Sequence, residues 1–193
     1  MNWFYKHYRY ATVPRGAILD IGSGSNPFWR ANILMERFLE DDSQRPGILI
    51  IDRPIVCGDI HNIPFVDNAF RFIHCSHILE HLESPEKAID EIMRVSQYGF
   101  IETPSEIHEF LDLNFSFHRW AISAENDILV FREKPQHIPV HPLIEALKDK
   151  LNRTYQFISS HHDQINILSR FWRDKIQYRI ESTAVQNNLK RVQ

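Results

Sequence analysis

Ala17-Ile18-Leu19-Asp20-Ile21-Gly22-Ser23-Gly24-Ser25-Asn26-Pro27 is the stretch on which the fold turns. Its first five residues form an apolar run with one acid, of strand length and composition. Gly22-Ser23-Gly24 ends that run with residues that reach backbone conformations closed to bulkier ones. Asn26 or Ser25 then offers an N-cap, and Pro27 suits a first helical turn, where its missing N–H costs nothing. Phe28, Ala31, Leu34, Met35 and Phe38 supply an apolar stripe, so the spacing predicts a helix after the turn. A strand, a glycine turn and a helix in succession bring backbone and helix N–H groups close to a ligand.

Outward from this turn, β-rich runs alternate with helical stretches, which predicts an α/β domain with a mainly parallel sheet. Glu40 to Gly47 reads as a loop, and Ile48 to Ile51 as the second strand, with Asp52 at its carboxyl end. Only six residues separate Asp52 from Asp59, too few for a full crossover helix, so that connection is abbreviated or the third strand very short. Phe70 to Ser76 is the next strand, and Ser84-Pro85-Glu86 opens a helix whose buried face is Ala88, Ile89, Ile92, Met93 and Val95. Gly99 to Thr103 reads as a fifth strand. Beyond it, His118 to Ser123 and Ile128 to Phe131 flank a turn at residues 124–127, an antiparallel hairpin expected at one edge of the sheet. Val140 to Leu151 reads as a helix after two prolines.

The expected architecture is therefore a Rossmann-like three-layer sandwich with helices on both faces of the sheet. It divides into an N-terminal extension (1–16), a core (17–135) and a C-terminal helical or mixed extension (136–193) that is not a separate domain.

Composition narrows the function. The chain has 193 residues, 43% of them apolar, enough for a sizeable core, and 22 Lys+Arg against 25 Asp+Glu give a net charge of −3. A slightly acidic balance without a long basic block speaks against nucleic acid as partner. No apolar run exceeds four residues, so no membrane span is expected, and no signal-peptide core stands at the N-terminus. Two cysteines, Cys57 and Cys75, make a poor disulfide framework and suit a reducing, cytoplasmic setting. All six glycines lie at or before Gly99, and the chain has eleven histidines.

Asp20 lies within the first strand, Asp52 ends the second, and Asp59 follows a short apolar run. Three carboxylates at successive strand ends suit a ligand carrying an ammonium, a ribose diol and an amino-substituted ring, since a carboxylate can accept two hydroxyl hydrogen bonds at once. A dinucleotide fingerprint is incomplete, because Pro27 stands where the third glycine belongs, and no Gly-Lys-Ser/Thr follows to make a phosphate loop.

At LDIGSGSNP, IIDRP, GDIHNIPFVDNAFRFIHCSHILEHLESPEKAIDEIMRV and GFIETPS the chain resembles class I S-adenosylmethionine-dependent methyltransferases, of the small type related to ubiquinone and menaquinone methylases. The resemblance runs from Ala17 to about Ser105. It implies that Gly22, Ser23 and Gly24 pass beside the methionine portion of S-adenosyl-L-methionine, whose ammonium Asp20 helps orient. By the same likeness Asp52 binds the ribose hydroxyls and Asp59 takes the adenine amine. Ile60 packs on the ring, and Cys75 and Ser76 line the methionine pocket. The implied reaction is methyl transfer to a small-molecule, saccharide-linked or lipid-linked acceptor. A cofactor-binding accessory protein without catalysis is the alternative. Oligomeric state is not legible.

His77-Ile78-Leu79-Glu80-His81 matches H-x-x-E-H, a zinc hydrolase pattern in which two histidines one helical turn apart share a metal. Here the pattern follows a strand at once and a new helix starts at Ser84. The expected role is a family loop, with no metal. His118 and His108, after the fifth strand, are the candidate bases, and His118-Arg119-Trp120 joins a base, a cation and an aromatic wall.

Overall fold

Ile18–Ile21 forms β1, and the strands around it follow from its register. Parallel pairing joins Leu19 to Ile33 of β2 (Ile33–Glu36) on one side and to Ile73 of β4 (Phe72–Ser76) on the other. β3 (Ile55–Cys57) lies outside β2, and β5 (Tyr98–Pro104) outside β4, both parallel. With β8 (Ile167–Arg173) beside β5 the sheet order is β3-β2-β1-β4-β5-β8. The computed structural model describes residues 13–43, 45, 47–111, 118–134 and 166–181, so the helix expected over Val140 to Leu151 lies outside the described residues.

The chain divides into two units. One comprises Met1–Ile78, Ser84–Glu102 and Ser169–Ile176, and the other Leu79–Glu83, Thr103–Leu168 and Gln177–Gln193. Leu79–Glu83 and residues 103–134 thus stand in the second unit, and Ser169–Ile176 in the first, where part of β8 joins the sheet.

In the first unit the helix expected after the glycine turn is replaced by a tight return into the sheet. The Phe28 N–H donates to the Asp20 carboxylate, Ala31 N to Phe28 O, and Asn32 N to Ile18 O. The Asn32 side chain accepts from Ile18 N in return. The chain is thus delivered beside β1 at Ile33, and Leu34 and Met35 become buried strand residues. The expected second strand, Ile48 to Ile51, forms no strand. Ile48 and Ile51 are 77% and 57% exposed, and β3 begins at Ile55 instead. Among the described residues helices are consequently sparse: α1 (Pro85–Val95), α2 (Glu106–Leu111) and one 3₁₀ turn, Leu79–His81.

α1 begins as its sequence predicts, with Ser84 at the N-cap and Pro85 in the first turn. Ala88, Ile89, Ile92 and Val95 are buried along one stripe. Its polar side clamps the loop that follows β3. Arg94 donates to the carbonyls of Phe65 (2.8 Å) and Ile63 (2.9 Å), and Glu91 accepts from Arg94 and from Ile63 N (2.7 Å). On one face of the sheet Val13, Ile18, Phe28, Ala31, Leu34, Phe72 and Phe100 form a cluster of buried residues.

The second unit contains a separate three-stranded sheet, β6 (Trp120–Glu125), β7 (Ile128–Glu133) and β9 (Tyr178–Glu181). β6 and β7 are the expected antiparallel hairpin, turned through Asn126 and Asp127, both with positive φ as a two-residue hairpin turn requires. It pairs with β9 in a sheet of its own rather than forming an edge of the main sheet.

Two stability outcomes follow. A Cβ at Gly99 would meet both the Ile73 carbonyl oxygen and Trp172 Nε1 at 2.7 Å. Gly99→Ala is therefore expected to cost about 1–3 kcal/mol in urea unfolding, the usual range for overpacking. Hydrogen bonds from Arg94 hold the Glu91 carboxyl below its ordinary value of 4.5. The stabilisation from a depressed acid is complete above its unfolded-state value and disappears as pH falls through the lower folded-state value. Glu91→Gln should cost about 1–3 kcal/mol at neutral pH. The gap to wild type should then narrow as pH is lowered below 4.5.

Candidate active site

In a parallel sheet all strands deliver their carboxyl ends to one edge, where ligands of such folds sit. In the first unit that edge carries Gly22-Ser23-Gly24 after β1, Glu36 at the end of β2, Gly58-Asp59-Ile60 after β3, and Ser76-His77 at and after the end of β4. Register keeps them together: Ile21 is level with Met35 and Cys75, Glu36 with Cys57, and Ser76 with Glu102. Backbone bonds link successive ends, from Gly22 N to Met35 O at 2.8 Å and from Gly58 N to Glu36 O at 2.9 Å.

The turn after β1 needs its glycines. Gly22 and Gly24 have φ of +68° and +53°, which side chains disfavour. A Cβ on Gly22 would also lie 2.1 Å from Ile78 Cδ1, whereas one on Gly24 would find open space, its nearest atom 4.0 Å away. Gly24 thus leaves room at the edge, with its N–H directed to Glu36 Oε1, which also accepts from Ser23 Oγ at 3.3 Å.

Glu36 is the acid at the end of the second strand, and sequence reasoning missed it. Asp52, expected there, precedes β3 and stands by the opposite, amino-end edge of the sheet. Arg53 donates to its carboxylate twice at 2.6 Å, and also to the carbonyls of Phe28 and Ala31. The hydrogen bonds from Arg53 hold the Asp52 carboxyl below its ordinary value. The available signal was Ile33-Leu34-Met35-Glu36, a short apolar run closed by an acid.

Asp20 is 2% exposed. One of its oxygens accepts from Phe28 N (2.7 Å) and the other pairs with His74 Nδ1 (2.7 Å). His74 stacks between Phe28, 4.5 Å away, and Phe100, 5.6 Å away. Asp20 thus acts on the edge by shaping its loop.

Asp59 caps the loop held by Arg94. It accepts from His61 N and pairs with His61 Nδ1, and Arg37 Nε is 3.4 Å away. Burial pushes its carboxyl up, but the His61 hydrogen bonds and the Arg37 charge outweigh this and hold it below its ordinary value. Ile60 is 7% exposed, and Cys75 is buried at the end of β4. Ser76 Oγ donates to Glu102 Oε1 at 3.2 Å, and Ser169 Oγ donates to Glu102 Oε2 at 3.2 Å. His77 follows with a positive φ of 56°, a rare conformation for a non-glycine residue, and its Nε2 lies 4.0 Å from Glu102 Oε1.

The two expected bases belong to the second unit. His108 lies on α2, where its N–H donates to Ser105 Oγ at 3.1 Å. His118, 6% exposed, pairs through Nδ1 with Glu109 Oε1 at 2.5 Å.

Comparison with known proteins bears on the fold. Residues 34–99 match the family described as "Methyltransferase domain". No curated protein matches the chain. Among solved structures, the complex between the Haloferax volcanii Trm112 methyltransferase activator and a protein described as a methyltransferase aligns with a TM-score of 0.52 at 12% identity, over 90% of this chain and 90% of that one. An S-adenosylmethionine-dependent methyltransferase from Mesorhizobium loti aligns with a TM-score of 0.49 at 12% identity, over 89% and 96% of the two chains. One from Thermotoga maritima aligns with a TM-score of 0.41 at 20% identity, over 54% of this chain and 56% of its own. This chain spans about half the length of that Thermotoga maritima structure, 56%, and 45% of the [4+2]-cyclase SpnF. At these identities the likeness is one of fold. It is the fold that β1, its glycine turn and the Asp59 loop build, and residues 34–99 within it are similar to the methyltransferase-domain family.

Proposed function

We propose that the first unit binds S-adenosyl-L-methionine at the carboxyl edge of β1–β4 and that the protein transfers its methyl group to an acceptor. The observation that carries this reading is Glu36, a nearly buried carboxylate at the end of β2, level with an open Gly24 turn. The residues present fit the cofactor. Gly24 leaves space beside backbone N–H groups, Glu36 offers acceptors for a ribose diol in place of Asp52, and Asp59 with Ile60 offers an acceptor and an apolar surface for adenine. Asp20, Ser23, Cys75 and Ser76 would surround the methionine portion, Asp20 through the loop it holds.

When bound, the cofactor supplies a methyl group on a sulfonium, and displacement at that carbon needs chiefly alignment of the acceptor. For an acceptor that must lose a proton we place the base at His77 rather than at the expected His108 or His118, because His77 belongs to the same unit as the glycine turn. Its left-handed backbone is the kind of strain that clusters at working sites. Glu102, anchored by Ser76 and Ser169, lies 4.0 Å from Nε2 and would help orient the ring for Nδ1 to take the proton. The acceptor we propose is a small molecule or a saccharide- or lipid-linked group, in keeping with a net charge of −3 that disfavours nucleic acid. Among the described residues no helix is long and apolar enough to cross a membrane. Neither cysteine is in a disulfide, which suits the cytoplasmic setting we propose.

Calorimetric titration with S-adenosylmethionine tests the site. Glu36→Gln should weaken binding roughly 10- to 100-fold, the value of one or two hydrogen bonds to a charged group. Asp52→Asn should leave binding within about twofold, since removal of an exposed ion pair is worth little. No binding by the folded wild-type protein, or equal binding by Glu36→Gln, would refute the assignment.

His77→Gln should retain cofactor affinity and lower release of the demethylated cofactor about 10²–10⁴-fold with a competent acceptor. Unchanged turnover would remove His77 from the reaction. Tight binding without turnover on any acceptor would favour an accessory role.

A further inference from the structure

The H-x-x-E-H pattern does not form the helical metal pair that its spacing suggests. His77, in the first unit, has a positive φ and lies within 4.0 Å of Glu102, and only Leu79–His81 makes a 3₁₀ turn. Glu80 and His81 fall in the second unit, and there they meet a third group from far along the chain. We propose that Glu80, His81 and His118 form a binding site for a divalent cation of borderline softness, zinc first among them.

One donor atom from each of these three residues lies within 4.8 Å of the other two. Glu80 Oε1 is 4.0 Å from His81 Nε2, and the His81 and His118 rings meet edge to face with centroids 4.6 Å apart. Two imidazoles and one carboxylate are the donor set of many three-ligand zinc sites, with water or substrate in the fourth position.

Three further features distinguish this cluster from a chance meeting of polar groups. First, Glu80 is 1% exposed and lies on a turn whose backbone is tied to the strand that follows His118. Arg119 N donates to Glu80 O at 2.8 Å, and Trp120 Nε1 to Leu82 O at 2.7 Å. The donors are therefore held in place by main-chain bonds, and closing on an ion requires small movements of side chains alone. Second, His118 Nδ1 pairs with Glu109, and Nε2 would be the ligating nitrogen. A carboxylate behind a ligating histidine is the usual outer partner that sets tautomer and orientation. Glu109 is in turn bound by Lys134. Third, the His81 side chain is 39% exposed, which gives an ion a way in from solvent.

Binding would cross-link the 79–81 turn to the start of β6 and stabilise the second unit. This site is independent of the cofactor reading and could stand if that reading failed.

The test uses the full-length chain, stripped with chelator and titrated with Co²⁺ and then Zn²⁺. The visible absorption of four-coordinate Co²⁺ and the shift in thermal unfolding are the two readouts. Wild-type protein should take up one ion per chain, show the Co²⁺ bands, lose them to Zn²⁺ and unfold at a higher temperature when loaded. Glu109→Gln should weaken Co²⁺ binding about 10- to 100-fold, as expected for loss of an outer partner. His118→Ala should abolish the bands. Should that buried substitution prevent folding, His81→Gln, at a half-exposed position, should remove the bands while leaving the metal-free unfolding temperature unchanged. Folded wild-type protein that takes up neither ion would overturn the proposal. Uptake unchanged in both His81→Gln and Glu109→Gln would overturn it equally.

Discussion

The buried carboxylate of Asp20 governs the first unit. A charge withdrawn from water is costly unless every acceptor is supplied. Here His74 of β4 takes one oxygen, and the Phe28 N–H takes the other. The second of these bonds turns the chain back within a few residues of the glycine turn, before a helix can propagate. Because the chain returns so early, Ile33–Glu36 enters the sheet as β2, and Glu36 reaches the ligand edge level with Gly22 and Gly24. The ribose acid of the proposed site is therefore a consequence of a hydrogen bond made eight residues before it.

A second constraint shapes the adenine side. Arg94 and Glu91, one turn apart on α1, satisfy three backbone groups of the loop after β3. Charge-assisted bonds of this kind are short and directional, so they hold irregular backbone as firmly as a ladder would. Asp59 is thereby fixed at the carboxyl edge, within the proposed site. The Asp-x-x-x-x-Pro-Phe stretch and the helix that ends in Arg-Val form one device: the helix supplies the fork that the loop requires.

The sequence made β1, β4, β5, α1 and the β6–β7 hairpin legible, since each carries its own local instruction. A glycine turn, a Ser-Pro cap and an Asn-Asp turn act within a few residues. Phe28, Ala31, Leu34, Met35 and Phe38 misled, because their spacing fits a helical face while Ile33-Leu34-Met35 fits a strand equally well. Only the Asp20–Phe28 bond decides between them. Ile48 to Ile51 misled in the opposite way, as an apolar run that forms no strand. The H-x-x-E-H stretch, expected as a loop, has a positive φ at His77 and a 3₁₀ turn at Leu79–His81.

The parts read correctly from the residues were those governed by short-range physics: the parallel α/β class, the glycine turn and its permissive backbone, and the capped helix. Tertiary structure decided which acid stands beside the turn, which histidine faces Glu102, and that Glu80 and His81 meet His118. Each of these rests on a buried polar group seeking a partner from a distant segment. Such pairings depend on where strands place their ends, and spacing along a chain does not encode that placement.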